Sequence, residues 1–196
     1  MNKNLLRNQM FAIFFSMLPV LLISQTFERG LISAAILLGV SVITTVVAYV
    51  LKDWIKGTYR VYAYILLVAA QMTIIGLFLK IALSSGLENA GLFLSLFIVN
   101  VVIIGYAELV ADKVISIRKN FLIVLQSAVL IVLISLVREI LSTGAITFIN
   151  LFEYNLRLFN EKYALTIFGD ISGGLIITGI VAAVAFAILS KGGKEE

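Results

Sequence analysis

The 196-residue chain is 61% hydrophobic and 13% charged, with a mean hydropathy of +1.10, which excludes an ordinary soluble domain. Its formal charge is +4, with no cysteine and no histidine. A serine, cysteine or zinc site built on His or Cys is therefore excluded, and no glycine loop for phosphate stands in the sequence.

Six apolar runs approach the ~20 residues that a helix needs to cross a ~30 Å hydrocarbon core. In chain order they are 10–25, 31–51, 61–79, 91–108, 121–137 and 171–189. Polar faces at helical spacing are nearly absent from them, as expected of spans and not of a soluble helical core. The first run has no small-residue cleavage site after it, and Gln25-Thr26-Phe27-Glu28-Arg29 leads directly into the next, so it reads as an uncleaved span.

The first and fourth runs are barely long enough and each is interrupted, at Met17-Leu18-Pro19 and at Val99-Asn100-Val101 with Gly105 beyond. Short or broken spans at matching places in two halves mark inverted-repeat membrane proteins, whose functional centre lies at the midplane. The expected fold is an all-α membrane protein of six transmembrane segments. It forms two inverted three-helix repeats, about 5–83 and 90–190, within one domain covering 1–196, with the first and fourth helices broken. The 144–170 segment is too polar to span and rich in aromatic residues. It is expected at the outer interface, as an amphipathic helix or docked on a partner.

Six spans put both termini on one side. That side then carries ten of the fifteen Lys and Arg residues, and the positive-inside rule makes it cytoplasmic. Topology thus accounts for the basic balance, and no nucleic-acid partner is implied; the lipid bilayer is the surrounding medium.

Four residues stand out near breaks and span ends: Asn100, Glu108, Arg138 and Glu139. Asn100 is expected to cap the break or to meet a cation. The other three are candidates either for structural pairing or for ion passage, because charges in a membrane pair or line a pathway. Arg138 and Glu139, adjacent in sequence, point to different faces and should bind different partners. Glu28 and Lys80 are expected at the interface, with their charged tips in water. Gln71, Thr73, Ser41, Thr44 and Thr45 suggest hydrogen bonds between helices, and Gly173, Gly174 and Gly179 a tight helix contact.

Phe97-Ile98-Val99-Asn100-Val101-Val102-Ile103-Ile104-Gly105-Tyr106-Ala107-Glu108 is similar to the "IVVNCIILGxAE" stretch of the Rnf/Nqr membrane subunits, in the branch formed by the E-type chain of Rnf and the D-type chain of Nqr. Val137-Arg138-Glu139-Ile140-Leu141 resembles that branch's "VREIL", and Ser16-Met17-Leu18-Pro19 stands where the family has "GLCP". The resemblance covers nearly the whole chain, with a poor match over about 145–170. It implies a non-catalytic membrane component of a redox-driven, ion-translocating electron transport complex of ferredoxin or NADH oxidoreductase type, in a bacterial or archaeal inner membrane. The implied partners are a homologous chain like the A-type chain of Rnf or the E-type chain of Nqr, in opposite topology, and further subunits that carry flavin. Sodium and protons both remain open as the coupling ion.

The resemblance also implies one cysteine in each broken helix for a shared [2Fe-2S] cluster. Here those positions are Leu18 and Val101, neither of which can bind iron, whereas such clusters need thiolates. The expectation is that this chain holds no cofactor, and that the cluster is absent or not ligated from this side. The alternative is a cysteine-less paralogue acting as a non-redox transporter or channel-like module.

Overall fold

The computed structural model describes residues 13–14, 20, 24–55, 59–82, 100–148, 154–157 and 164–191. Helix α1 runs over Phe27–Leu51, α2 over Tyr59–Ala82, α3 over Val101–Ala111 and α4 over Ile117–Thr143. Strands β1 (Ala145–Phe148) and β2 (Tyr154–Arg157), a 3-10 turn at Thr166–Phe168 and helix α5 (Ile171–Lys191) follow. Among the described residues, α1, α4 and the Tyr59–Leu79 part of α2 are long and apolar enough to cross a membrane, and Ile171–Ala187 is a shorter apolar helix. Four of the expected spans are thus helices within a few residues of their expected bounds. Of the first broken span only Ile13, Phe14 and Val20 are described as helical, all buried in the core. Leu18, Pro19 and residues 83–99 lie outside the described residues.

The helices begin where side chains satisfy free backbone donors. Thr26 Oγ1 accepts from Arg29 N at 3.3 Å to start α1, and Ser116 Oγ accepts from Lys119 N at 3.3 Å to start α4, the usual use of a hydroxyl at an N-cap. Gly144 ends α4 in a left-handed conformation, φ 70°, with its N–H donating to the Ile140 carbonyl at 3.0 Å. Only glycine takes that conformation without steric cost.

The buried stripe of α1 is made of small and hydroxyl residues, including Gly30, Ser33, Ala34, Thr44 and Ala48. Its exposed side carries Val42, Ile43, Val46 and Val50. Helices in lipid gain little from hiding apolar side chains and associate through close packing of small residues. At Gly30 the α1 backbone meets α4 so closely that a Cβ would fall 2.5 Å from Ser135 Cβ. Leu37, Val40, Ile103, Val124, Ile131 and Ile177 lie in the apolar core that α1, α3, α4 and α5 share.

The 144–170 segment corrects one expectation. Instead of an amphipathic helix, 145–148 and 154–157 form an antiparallel hairpin that pairs Ala145 with Arg157 and Phe148 with Tyr154. Gly144 turns the chain out of α4, and Glu139 captures the Thr147 N–H at 2.9 Å, so the Ile146-Thr147-Phe148 run follows its β preference. Residues 149–153 and 158–163 lie outside the described residues.

Candidate functional site

Charged side chains gather at opposite ends of the helices. At the α4 C-terminal end, Arg138 is fully buried, and its guanidinium donates to backbone carbonyls. Nε donates to Phe168 O at 2.8 Å, Nη1 to Ser24 O at 3.3 Å, and Nη2 to Gly169 O at 3.1 Å and Asp170 O at 2.7 Å. The guanidinium's fixed fork of donors suits such a set. Gly174 makes room for it, since a Cβ there would lie 2.9 Å from the guanidinium. Arg138 thereby ties the end of the first segment and the start of α5 to α4.

Glu139, also buried, faces the other way. Its Oε2 accepts from Phe27 N at 2.7 Å, at the first residue of α1. Its Oε1 accepts from the Thr147 N–H and hydroxyl. A carboxylate at a helix N-terminus sits at the positive end of the helix dipole. The two neighbours do have different partners, as their sequence positions suggest: backbone carbonyls for Arg138, and two backbone N–H groups with the Thr147 hydroxyl for Glu139.

At the other end Glu108, near the α3 C-terminus, meets Arg60 of α2 at 3.4 Å, and Asp112 meets the same guanidinium nitrogen at 2.5 Å. Arg60 also donates to Ile55 O at 2.8 Å and Lys52 O at 3.3 Å, which holds the α1–α2 connection in place. Tyr64, one turn further along α2, is buried against Ala48 and Ala107. Among the described residues, the Tyr64 hydroxyl and Glu108 Oε2 are buried without a hydrogen-bond partner. Sequence reasoning singled out Glu108 and missed Arg60, Tyr64 and Asp112. The signal was the four-residue spacing within each pair, 60/64 and 108/112, which stacks both members on one helix face.

Asn100 is buried and non-helical, immediately before α3. Its carbonyl accepts from Ile104 N at 3.1 Å, the first bond of that helix. The helix therefore starts where the break was expected. Val101 is its first residue; the Val101 side chain and all of Leu18 are outside the described residues. Glu28 is buried against the protein in the first turn of α1, where a carboxylate meets the positive end of the helix dipole. Of the hydroxyl and amide residues, Gln71 Nε2 reaches Thr44 Oγ1 at 3.1 Å and Asn120 Nδ2 reaches Thr45 Oγ1 at 2.7 Å, while Thr73 bonds within its own helix, to Ala69 O. Gly173 and Gly174 do stand at close contacts; a Cβ at Gly179 would meet nothing within 4 Å.

The family described as "Rnf-Nqr subunit, membrane protein" matches residues 1–191. The chain belongs to the Rnf-Nqr membrane subunit family. Similar curated proteins are named as the E subunit of an "ion-translocating oxidoreductase complex". The one from Rhodobacter capsulatus is 30% identical over 182 residues, covering 90% of this chain and 71% of that protein. Those from Buchnera aphidicola and Methanosarcina acetivorans are each 28% identical, over 151 and 148 residues, covering 72% and 71% of this chain and 68% and 67% of their own lengths. For this Rnf-Nqr chain the donor set does not fit an iron–sulfur cluster. The 196 residues contain neither thiol nor imidazole, and among the described residues no three Asp or Glu side chains converge as metal ligands.

Proposed function

We propose that this chain is the E-type membrane component of a redox-driven, ion-translocating oxidoreductase complex. The observation that carries this reading is the alignment with a relative of that name over 90% of the chain. The complex would pass electrons between nicotinamide or ferredoxin and carriers held by other subunits, flavin among them, in a bacterial or archaeal inner membrane. The chain would contribute six spans as two inverted repeats, with both termini cytoplasmic. A homologous chain of opposite orientation would cover the two breaks, because backbone groups freed at a break cannot face lipid.

Within that role we assign Arg138 and Glu139 to structure and Glu108 to the ion path. Arg138 and Glu139 bind groups on the segments they join, whereas Glu108 keeps one buried oxygen outside its ion pair with Arg60, beside the Tyr64 hydroxyl and at the end of α3 away from Asn100. The chain supplies no cluster ligand; the absence of cysteine and histidine supports this. In a redox complex the electrons then cross on another carrier or on ligands from other subunits. In the non-redox reading the partner chain lacks its cysteines as well.

The test uses the intact complex in inverted membrane vesicles. Deleting this chain should abolish both ferredoxin- or NADH-driven electron transfer and the coupled sodium or proton uptake. Loss of neither would overturn the assignment to such a complex. Low-temperature EPR of the complex, with soluble iron–sulfur subunits removed, addresses the cluster: a [2Fe-2S] signal that requires this chain would overturn the cluster-free reading alone.

A further inference from the structure

A cleft of about 210 Å³ opens between α1 and α4 near the basic end of the chain. Val42 from α1 and Ile117, Phe121 and Val124 from α4 form apolar walls, and Arg118 stands at the rim. Ser41, Thr45 and Asn120 also line it, all three buried and none of them giving it polar surface. The surface that the cleft presents is apolar and suits hydrocarbon, which leaves the basic side chains beside it to meet charge.

The charge around the rim is one-sided. Helix α4 begins with Arg118 and Lys119 in its first turn and has no acidic residue there, although the positive end of a helix dipole favours acids. Among the described residues neither of these cations has an ion-pair partner; Asp112, the acid before Ser116, is paired with Arg60. Two exposed cations in the first turn of α4, one of them lining an apolar cleft between two apolar helices, complement an anionic headgroup on an acyl chain. Basic pockets between spans on the cytoplasmic side are a recurrent form of anionic-lipid recognition.

We infer that the cleft between Val42 and Phe121 seats one anionic phospholipid, with its acyl chain in the cleft and its phosphate at Arg118 and Lys119. Lipid of this charge would brace α1 against α4 near the basic end, opposite the Arg138 and Glu139 contacts.

The test uses the whole complex in vesicles that contain phosphatidylglycerol or phosphatidylcholine bearing a diazirine on the acyl chain. After photolysis, labelled peptides are located by mass spectrometry. Phosphatidylglycerol should label the peptides around Val42 and Phe121 in preference to phosphatidylcholine. Arg118→Gln and Lys119→Gln should each lower that labelling about fivefold, the effect of ~1 kcal/mol per interfacial cation. Val42→Trp, which fills the cleft and leaves both charges, should lower it too. Equal labelling by the two lipids, or labelling unchanged in the charge variants while the complex stays assembled, would overturn the proposal. Competition by glycerol phosphate at the same concentration would assign the site to a free phosphate and overturn the lipid.

Discussion

Arg138 shows how a buried charge is tolerated when its donors are matched by carbonyls that would otherwise be orphans. Replacing it by Met leaves Ser24, Phe168, Gly169 and Asp170 carbonyls without that donor and should destabilise the chain by about 1–3 kcal/mol for each acceptor left buried and unsatisfied. The expected outcome is little assembled complex on size-exclusion chromatography. Glu139→Gln is milder, since an amide oxygen still accepts one bond. It should cost about 1–3 kcal/mol, read as a lower melting temperature of the solubilised complex with ion flux per assembled complex unchanged. Glu108→Gln should do the reverse: coupled ion uptake falls while assembly and melting temperature hold, because Arg60 keeps Asp112 as a partner. Unaltered uptake combined with poor assembly would make Glu108 a structural residue.

At the scale of elements, the α1–α4 contact rests on the absence of a side chain at Gly30. Gly30→Ala would drive a methyl into Ser135 and should destabilise by about 1–3 kcal/mol, as overpacking does. Ser135 bonds the Ile131 carbonyl of its own helix at 2.7 Å, so its hydroxyl is not needed by α1. The double variant Gly30→Ala with Ser135→Gly should therefore recover much of the lost melting temperature, minus the helix propensity that a glycine gives up. A double variant no better than the single one would show that α1 and α4 do not meet there. The hairpin has a similar dependence: its first strand is held to α4 by Glu139, so Glu139→Gln should also raise proteolysis at the outer loop.

For the whole molecule, the lack of any cysteine makes topology directly measurable. Trp54, 86% exposed in the α1–α2 connection, and Leu165, 54% exposed before the 3-10 turn, are predicted on opposite sides of the membrane. A membrane-impermeant maleimide should label Trp54→Cys only from the cytoplasm and Leu165→Cys only from outside. Labelling of both from one side would break the six-span arrangement and the orientation drawn from the basic residues. The same background allows disulfide trapping between this chain and the proposed oppositely oriented partner.

Membrane class, four of the helices and the start of α3 at Asn100 were legible in residue order alone. Run length, hydropathy and a polar interruption are local properties, and lipid imposes them on each segment separately. The special standing of Glu108, Arg138 and Glu139 was legible for the same reason: a charge in or near a span is costly wherever it sits. Their partners were not legible. Arg138 binds carbonyls about 30 and 114 residues away, and Glu139 an N–H 112 residues away; backbone groups are present at every position, so no residue type announces which will be used. Residues 144–170 suggest an amphipathic helix or a docked segment because their aromatic and charged residues suit an interfacial helix as well as a strand, and 145–148 and 154–157 are strands. Contacts with Glu139 and the left-handed turn at Gly144 decided between them, and those exist only once α4 and α1 have packed.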